Sequence, residues 1–325
     1  MKIFFKSILM LATVATLSMV GVSCEPADEG TPTEQPNENP NDNPGEEPGD
    51  NPGENPGEDP GENPGENPGE NPGEEPGEEP AEPRIGDIYY SDGSWNSELV
   101  EGKTPVGVIF CLGTGRGDSA ANYKTKAGEA IEEITGYVVA LRDATENAES
   151  EDGVVWSFYD GWYNGAGCSS ELEDFLGYSN TQAIKAAALR DDCPAGEFNG
   201  TDDSFPAAWY ASDGYELLCP SPKTSSGWYL PSLYQIKYIW DKTYFNDGNM
   251  MASVEETLQM LAKQGLATEM YANESEYWSS TEKYDSYGDS CMAYCFCFDK
   301  TMFKPGFGSD LNKYWEVRVR SVLTF

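Results

Sequence analysis

The chain has 325 residues, a net charge of −37 and no histidine. Of its 57 acidic residues, 20 lie in residues 25–83, which contain no basic residue, and the other 37 face 18 basic residues in 84–325, a net charge of −19 there. Such a surface repels phosphate backbones, so we expect no nucleic-acid partner, and an anionic polysaccharide is also disfavoured. Without histidine, the chain lacks the commonest general base and the commonest metal ligand.

Residues 1–23 have the pattern of a secretory signal peptide. Lys2 and Lys6 precede an apolar run that is too short for a membrane-spanning helix and ends in Gly-Val-Ser-Cys at 21–24. This ending resembles the lipobox of bacterial lipoproteins, which implies lipidation at Cys24 and anchoring in the outer membrane. The acidic residues that follow resemble the surface-export signal of Bacteroidetes-type lipoproteins. The alternative is an ordinary cleaved signal with a chance cysteine.

Residues 24–83 are predicted to form a disordered acidic stalk. After Cys24 this stretch holds no aromatic residue and no Val, Leu, Ile or Met, so no apolar burial offsets the entropy of ordering. A four-residue unit of the type Asn-Pro-Gly-Glu repeats through most of it, whereas collagen needs glycine at every third position. Regular proline and like-charge repulsion favour an extended chain that holds the folded part away from a membrane. A slack tether with no length requirement is the alternative.

Residues 84–325 alternate short strands with a few helices. Strands are predicted at 85–95 around an Asp92-Gly93 turn, then at 105–112, 136–141, 154–159, 277–281, 291–298 and 315–325. Helices are predicted at 180–190 with Ile184 and Leu189 inward, at 205–210, at 232–241 and at 253–264. Ser232 with Gln235, and Ser253 with Glu256, have capping-box spacing, and Gly265 ends the last helix. The fold class is therefore α+β with long loops.

Six motifs in this region follow one another in a recognisable order. They are GYVVALRDA at 136–144, GYSNT at 177–181, FPAA at 205–208, GWYLPS at 227–232, YWSSTE at 277–282 and VRVRSV at 317–322. Together they resemble the Fibrobacter-type major paralogous domain, which is similar to the C-terminal domain of a collagen-like Legionella adhesin and to the C-type-lectin-like superfold of formylglycine-generating enzymes. The resemblance implies one extracellular, often adhesive, domain over 84–325. It further implies short twisted strands, two or more helices, long loops, and adjacent first and last strands.

One aromatic stretch has the composition of a carbohydrate-binding face. It comprises Tyr159, Asp160, Trp162, Tyr163 and Asn164. Aromatic rings supply large flat contact surfaces with polar tips, and short polar groups bind hydroxyls, so this stretch is the predicted ligand site. Buried aromatic residues around a loop would give the same pattern.

Five residues of the motifs are assigned structural roles. Trp228, Pro231 and Trp278 are expected to be core residues that support loops. Arg318 and Arg320 alternate with valines and so share one strand face. We expect them to form structural ion pairs with acidic residues rather than contacts to a ligand.

The cysteines permit several readings. Cys291, Cys295 and Cys297 have the same parity on a predicted strand, so their sulfurs share a face. Formylglycine-generating enzymes use a cysteine pair with copper in a comparable region, but the spacing here departs from theirs. Zinc would need a fourth ligand from another cysteine or a carboxylate. We favour a disulfide between Cys168 and Cys193, and at least one of the seven cysteines after Cys24 stays unpaired in any intramolecular pattern.

No enzyme motif stands out, and we expect no catalytic residue, no metal site and no cofactor. Acidic loops at 143–152 and 241–249 could nevertheless hold calcium, although neither has EF-hand spacing. Arg116-Gly117-Asp118 matches the integrin-recognition tripeptide, but matches of three residues are common by chance.

The sequence thus predicts a surface lipoprotein whose C-terminal domain binds an extracellular glycan or protein without catalysis. The alternative is a structural subunit of a fimbrial or polysaccharide-utilisation assembly. A copper-dependent cysteine oxidase is the least favoured reading.

Overall fold

The structure is a computed structural model that describes residues 82–146, 148, 153–158, 164–244, 251–270, 275–298 and 309–325. These residues all belong to one unit of the chain, Glu74–Phe325. The predicted signal peptide, Cys24 and all but the last two residues of the predicted stalk lie outside the described residues. No helix in the described part of the chain is long and apolar enough to cross a membrane.

Short strands and helices alternate along the described residues. In chain order the strands are β1 (Ile88–Tyr90), β2 (Trp95–Asn96), β3 (Pro105–Leu112), β4 (Gly136–Asp143), β5 (Ser275–Lys283), β6 (Met292–Phe298), β7 (Ser309–Asn312) and β8 (Arg320–Thr324). The helices are α1 (Gly177–Ala188), α2 (Pro206–Trp209), α3 (Tyr215–Leu218), α4 (Leu233–Tyr244) and α5 (Met251–Lys263). A mixed α/β fold is therefore confirmed.

The first sheet has five antiparallel strands in the order β2-β1-β3-β4-β8. Strands β3 and β4 coincide with the two predicted apolar runs. Glycine is needed at position 107 where β3 pairs with β4, because a Cβ there would lie 2.2 Å from Val138 Cγ1 and 2.6 Å from the Val139 carbonyl oxygen. The first and last strands share this sheet but are separated by β3 and β4, so the adjacency implied by the resemblance is wrong.

Apolar side chains cover both faces of the first sheet. One face packs against α4 and α5 through Leu233, Ile236, Val254 and Leu258. The other face packs against a second cluster of buried side chains, which includes Trp156, Ile184, Phe205, Trp228 and Trp278. Burial on both faces explains why β3 and β4 read as nearly continuous apolar runs instead of alternating ones.

The second sheet has three antiparallel strands in the order β5-β6-β7. It is joined to the rest of the domain by the motifs that carry the family resemblance. The Trp278 amide donates to the Arg318 carbonyl oxygen (2.9 Å), and the Ser280 amide donates to the Pro231 carbonyl oxygen (2.8 Å). Three motifs that are distant in sequence therefore contact one another directly.

Helix α4 begins with the predicted capping box. The Gln235 amide donates to Ser232 Oγ (3.2 Å), and the Ser232 amide donates to Gln235 Oε1 (2.8 Å). Helix α5 ends at Lys263, one residue before the predicted end, and Gly265 follows it with a φ of 73°. Its start was predicted wrongly: the helix begins at Met251, so Ser253 lies inside the first turn and not at the N-cap.

Three other predicted elements need correction. Helix α1 begins at Gly177 instead of residue 180, and Leu189 lies just beyond its end with 67% of its surface exposed. The described part of 154–159 is not a strand, since Val154 makes only an isolated bridge to Val317. The last strand starts at Arg320, five residues later than predicted, and β7 was not predicted at all.

Candidate functional site

A widened helical turn forms one wall of an open cleft. Helix α2 continues through a π-helical turn at Tyr210–Gly214 before α3 begins. Turns of this kind are rare and are found frequently at functional sites. The Trp209 ring is packed so closely against Gly200 and Gly214 that a Cβ on either would lie within 2.6 Å of it. This ring in turn meets Tyr210 edge-on, with centroids 5.1 Å apart, and fixes the tyrosine at the cleft.

The opposite wall is made of two paired segments from distant parts of the chain. Val154 and Val317 exchange two backbone hydrogen bonds of 3.0 Å, and the Trp156 amide donates to the Lys313 carbonyl oxygen (2.7 Å). Gly153 is required in this wall because its φ is 125° and a Cβ would lie 2.2 Å from the Val317 backbone. The indole N–H of Trp278 holds the same wall through the Val154 carbonyl oxygen (2.9 Å).

The two walls enclose a cleft of about 500 Å³. The described residues that line it are Gly153, Val154, Gly200, Thr201, Asp202, Tyr210 and Glu316. This volume is within the range of small-ligand sites. An aromatic ring, a hydroxyl group and two carboxylates in an open cleft suit a hydroxylated ligand, whose hydroxyls donate to the carboxylates.

A buried ion pair secures the wall that carries Glu316. The Lys313 ammonium contacts Glu282 Oε1 at 2.5 Å, the Ser290 carbonyl oxygen at 2.9 Å and Ser290 Oγ at 3.0 Å. It also lies 4.4 Å from the centre of the Trp156 ring. Glu282 is fully buried, and Lys313 is 5% exposed.

Glu282 is the centre of a saturated hydrogen-bond network. Besides Lys313, it accepts hydrogen bonds from the Ala166 and Cys168 amides (3.0 Å each), the Tyr284 hydroxyl (2.7 Å) and the Ser290 hydroxyl (3.1 Å). Burial pushes the pKa of Glu282 upward, but the Lys313 charge and the donors outweigh burial and hold this pKa below its usual value. The network thus connects β5 to the segment that carries Glu316 through the buried Lys313 side chain.

Of the predicted ligand-binding residues, 159–163 lie outside the described residues. Before these residues, the Phe158 amide donates to the Ser204 carbonyl oxygen (2.9 Å), close in sequence to the cleft residues 200–202. At the other end Asn164 is exposed, pairs with Asp289 and donates its side-chain amide to Asp192 (3.2 Å). Asn164 does not line the cleft.

The residues assigned structural roles lie in or beside the core. Trp228 and Trp278 are 4% and 0% exposed, and the Trp228 indole donates to the Cys219 carbonyl oxygen (2.7 Å). Pro231 is buried, and Arg318 is half-buried beside Tyr277.

Arg320 is almost completely buried, and each nitrogen of its guanidinium donates hydrogen bonds. It pairs with Asp143 at 2.7 Å. The same group donates to Thr268 and to the Ala140 and Leu141 carbonyl oxygens, at 2.7–2.9 Å. It therefore ties β8 to the end of β4 and to the segment before β5.

The seven cysteines in the described residues are all free thiols. The predicted Cys168–Cys193 disulfide is therefore wrong. The Cys168 sulfur instead contacts the Asn180 carbonyl oxygen on α1 (3.6 Å), and burial raises the pKa of this thiol well above its usual value.

Cys291 is exposed whereas Cys295 is fully buried, with its sulfur 3.3 Å from Ser309. At about 3.3 Å per residue, Cys291 and Cys295 lie about 13 Å apart along the strand. Among the described residues, no three cysteine or carboxylate side chains converge as metal ligands.

The other sequence candidates are occupied within the protein or lie outside the described residues. In the first acidic loop, Asp143 accepts from Arg320 and Tyr277, and Glu146 pairs with Arg142 (3.0 Å). Residues 147 and 149–152 of that loop, and the side chains of 241–249, fall outside the described part. Asp118 of the integrin-like tripeptide accepts from the Tyr123 and Tyr137 hydroxyls (2.5 and 2.8 Å), so its carboxylate helps to fix the loop.

A second pocket, of about 410 Å³, lies beside α3. Its described lining comprises Pro105, Val106, Leu141, Arg142, Asp143, Glu146, Tyr215, Leu218, Cys219 and Leu266. Arg142 and Glu146 pair with each other at its rim. The surface beside it is apolar, since Leu217 and Leu218 are 78% and 54% exposed.

No protein-family model and no curated protein matches this chain. Among solved structures, the chain is similar to a fimbrial protein from Bacteroides ovatus ATCC 8483, whose crystal structure was determined at 1.85 Å resolution. The two share 21% sequence identity with a TM-score of 0.47, and the match covers 74% of this chain and 49% of the other. The chain thus spans about half the length of that protein.

Proposed function

We propose that the chain is a lipid-anchored protein of the outer membrane, exposed at the cell surface, whose C-type-lectin-like domain binds an extracellular glycan without catalysis. The lipobox-like ending at Cys24 and the repeats after it support the anchor and the stalk. The direct contacts among the motifs at 227–232, 277–282 and 317–322 support the proposed domain type, because these motifs carry the family resemblance.

The cleft between the Tyr210 wall and the Glu316 wall is the single observation that carries the binding function. Its walls are held by glycines that tolerate no side chain, by the Trp278 indole and by the buried Glu282–Lys313 pair. Rigid walls limit the entropy that is lost when a ligand binds. Tyr210, Thr201, Asp202 and Glu316 belong to the described lining and bring an aromatic ring, a hydroxyl group and carboxylates to the cleft.

A glycan array probed with the labelled mature protein tests this function. We expect binding to a defined set of glycans, and Tyr210→Ala should weaken it by about tenfold, or about 1.4 kcal/mol. Tyr210→Phe keeps the ring and should retain most of the binding. Tyr287→Ala is the matched control, because Tyr287 is an 89% exposed tyrosine that does not line the cleft. The proposal is contradicted if no glycan on the array binds. It is also contradicted if Tyr210→Ala and Tyr287→Ala lose glycan binding equally while both keep the wild-type melting temperature.

The proposed location is tested separately by proteolysis of intact cells. A protease that cannot cross the outer membrane should cut the stalk and release the domain, which an antibody against 84–325 would detect. If the domain is released only after the outer membrane is broken, the chain faces the periplasm and the surface location is wrong.

A second candidate, a structural subunit of a fimbrial or polysaccharide-utilisation assembly, is supported by the apolar surface at Leu217 and Leu218. Contiguous exposed apolar residues often mark sites where a protein partner binds. This function predicts that other subunits co-purify with the protein from detergent-solubilised membranes. In the Leu217→Ser, Leu218→Ser double variant, these subunits should no longer co-purify while glycan binding is unchanged. That result would favour the second candidate for this surface.

A further inference from the structure

Among the described residues that line the cleft, the charged ones are Asp202 and Glu316, and both are acidic. Asp202 comes from the segment before α2, and Glu316 comes from the segment before β8. No lysine or arginine belongs to the described lining. Lys313, which precedes Glu316 by three residues, is buried against Glu282 and does not line the cleft.

The surroundings add to the negative charge of the cleft. Asp203 follows Asp202 and is exposed, and residues 84–325 together carry a net charge of −19. A cleft lined by one sign of charge concentrates ligands of the opposite sign and repels ligands of the same sign. Uronic acids, sialic acids and sulfated sugars are therefore disfavoured in this cleft.

The uncharged groups of the cleft suit a sugar ring. The Tyr210 ring is half-buried and fixed by Trp209, so its remaining surface offers a flat apolar contact. The Thr201 hydroxyl donates to Asn199 Oδ1 (2.7 Å), which leaves its oxygen able to accept a hydrogen bond from a ligand hydroxyl. A cleft of about 500 Å³ has room for a ring together with its substituents.

We infer that the cleft selects an amino sugar with a free, protonated amine, with Asp202 as the residue that binds the amine. This inference rests on the proposed glycan-binding function and gives its ligand a chemical class. A protonated amine and a carboxylate form a charge-assisted hydrogen bond, which is stronger than the bond from a neutral hydroxyl or amide. Acetylation of the amine removes the charge, so Asp202 should discriminate between the two forms.

The test compares a glucosamine tetramer with an N-acetylglucosamine tetramer by calorimetric titration of the mature protein at about pH 6, where amines are protonated. We expect the glucosamine tetramer to bind about tenfold more tightly, or about 1.4 kcal/mol. Added salt should reduce this preference, because it screens exposed charges. Asp202→Asn should abolish the preference, so that the variant binds the two tetramers with equal affinity. Asp203→Asn is the matched control and should retain most of the preference.

The possible outcomes separate this inference from the function on which it rests. Equal binding of the two tetramers, or tighter binding of the acetylated one, overturns the amino-sugar class while glycan binding stands. Equal loss of preference in the Asp202 and Asp203 variants overturns the role of Asp202, because the negative charge around the cleft would then explain the preference without a specific contact. Suppose that a lysine trimer binds, that it loses its affinity in Asp202→Asn, and that the glucosamine tetramer does not bind at all. In that case the ligand is a basic peptide and the inference is wrong. An array on which no glycan binds removes the proposed function and this inference together.

Discussion

Replacing Lys313 by methionine should destabilise the domain strongly, because it leaves a buried carboxylate without its cation. Methionine keeps most of the side-chain volume but removes the ion pair with Glu282, the two bonds to Ser290 and the contact with the Trp156 ring. Removing one partner of a buried pair costs about 3–5 kcal/mol. Glu282 keeps four hydrogen-bond donors, so we expect the lower end, about 3 kcal/mol.

Urea and thermal unfolding of the mature protein, followed by tryptophan fluorescence, measure this effect. For a domain of this size, about 3 kcal/mol corresponds to a fall in melting temperature of about 6–12 °C. Lys283→Met is the matched control, since it breaks the exposed Lys283–Asp310 pair on β5 and should unfold close to the wild type. The double variant Lys313→Met, Glu282→Gln should recover part of the loss, because no buried charge remains.

The pH dependence of the same experiment has a definite sign. In the wild type the pKa of Glu282 is lowered on folding, so its stabilisation is present above the unfolded pKa of about 4.3 and is lost as the pH falls through the folded pKa. Without Lys313, burial should raise this pKa, and Glu282 should then bind a proton on folding at higher pH. The stability gap between the two proteins should therefore narrow from pH 7 to pH 4. A gap below about 1 kcal/mol at pH 7, or one that stays constant with pH, would refute this reasoning.

Three further predictions follow from buried polar groups. Arg320→Lys keeps the charge but cannot reach all the partners of the guanidinium, so we expect a loss of about 3 kcal/mol in urea unfolding, and full stability would contradict this. Ser232→Ala removes the N-cap of α4 and should cost about 1–2 kcal/mol, whereas Ser232→Thr should cost less. In native protein, a thiol reagent should modify Cys291 well before Cys168, because Cys291 is exposed and burial raises the pKa of Cys168. Comparable rates at the two thiols would show that Cys168 is accessible.

Elements with strong local signals were predictable from the sequence. Strands β3 and β4 are long apolar runs, and both faces of their sheet are covered, so the burial that specifies them is visible in the sequence. Helix α4 was predictable at its start because the capping box at Ser232 and Gln235 is a local structure, and both of its hydrogen bonds form.

Elements whose ends depend on distant contacts were not predictable. Helix α1 starts at Gly177 with no side-chain cap, and its start is fixed by close packing of Gly177 against Ser232 and Gln235. The Cys168–Cys193 pairing was inferred from position in the sequence, whereas the sulfur of Cys168 is directed to α1. Strand β7 is a short edge strand with weak alternation, and only its pairing with β6 defines it.

The lining of the candidate site was not predicted from the sequence. The predicted aromatic stretch at 159–163 lies outside the described residues, and Asn164 does not line the cleft. The lining residues Thr201, Asp202, Tyr210 and Glu316 come from segments that are far apart in sequence. The pairing of Val154 with Val317 brings these segments together, and no spacing rule in the sequence reveals it.

An NMR titration of the isotope-labelled mature protein with a glycan selected on the array tests most directly whether the glycan binds in the cleft. We expect the largest amide shifts at Val154, Gly200, Thr201, Asp202 and Tyr210, which all line the cleft. Shifts concentrated instead around Leu217 and the second pocket, or spread evenly over the domain, would contradict the assignment of this cleft as the glycan-binding site.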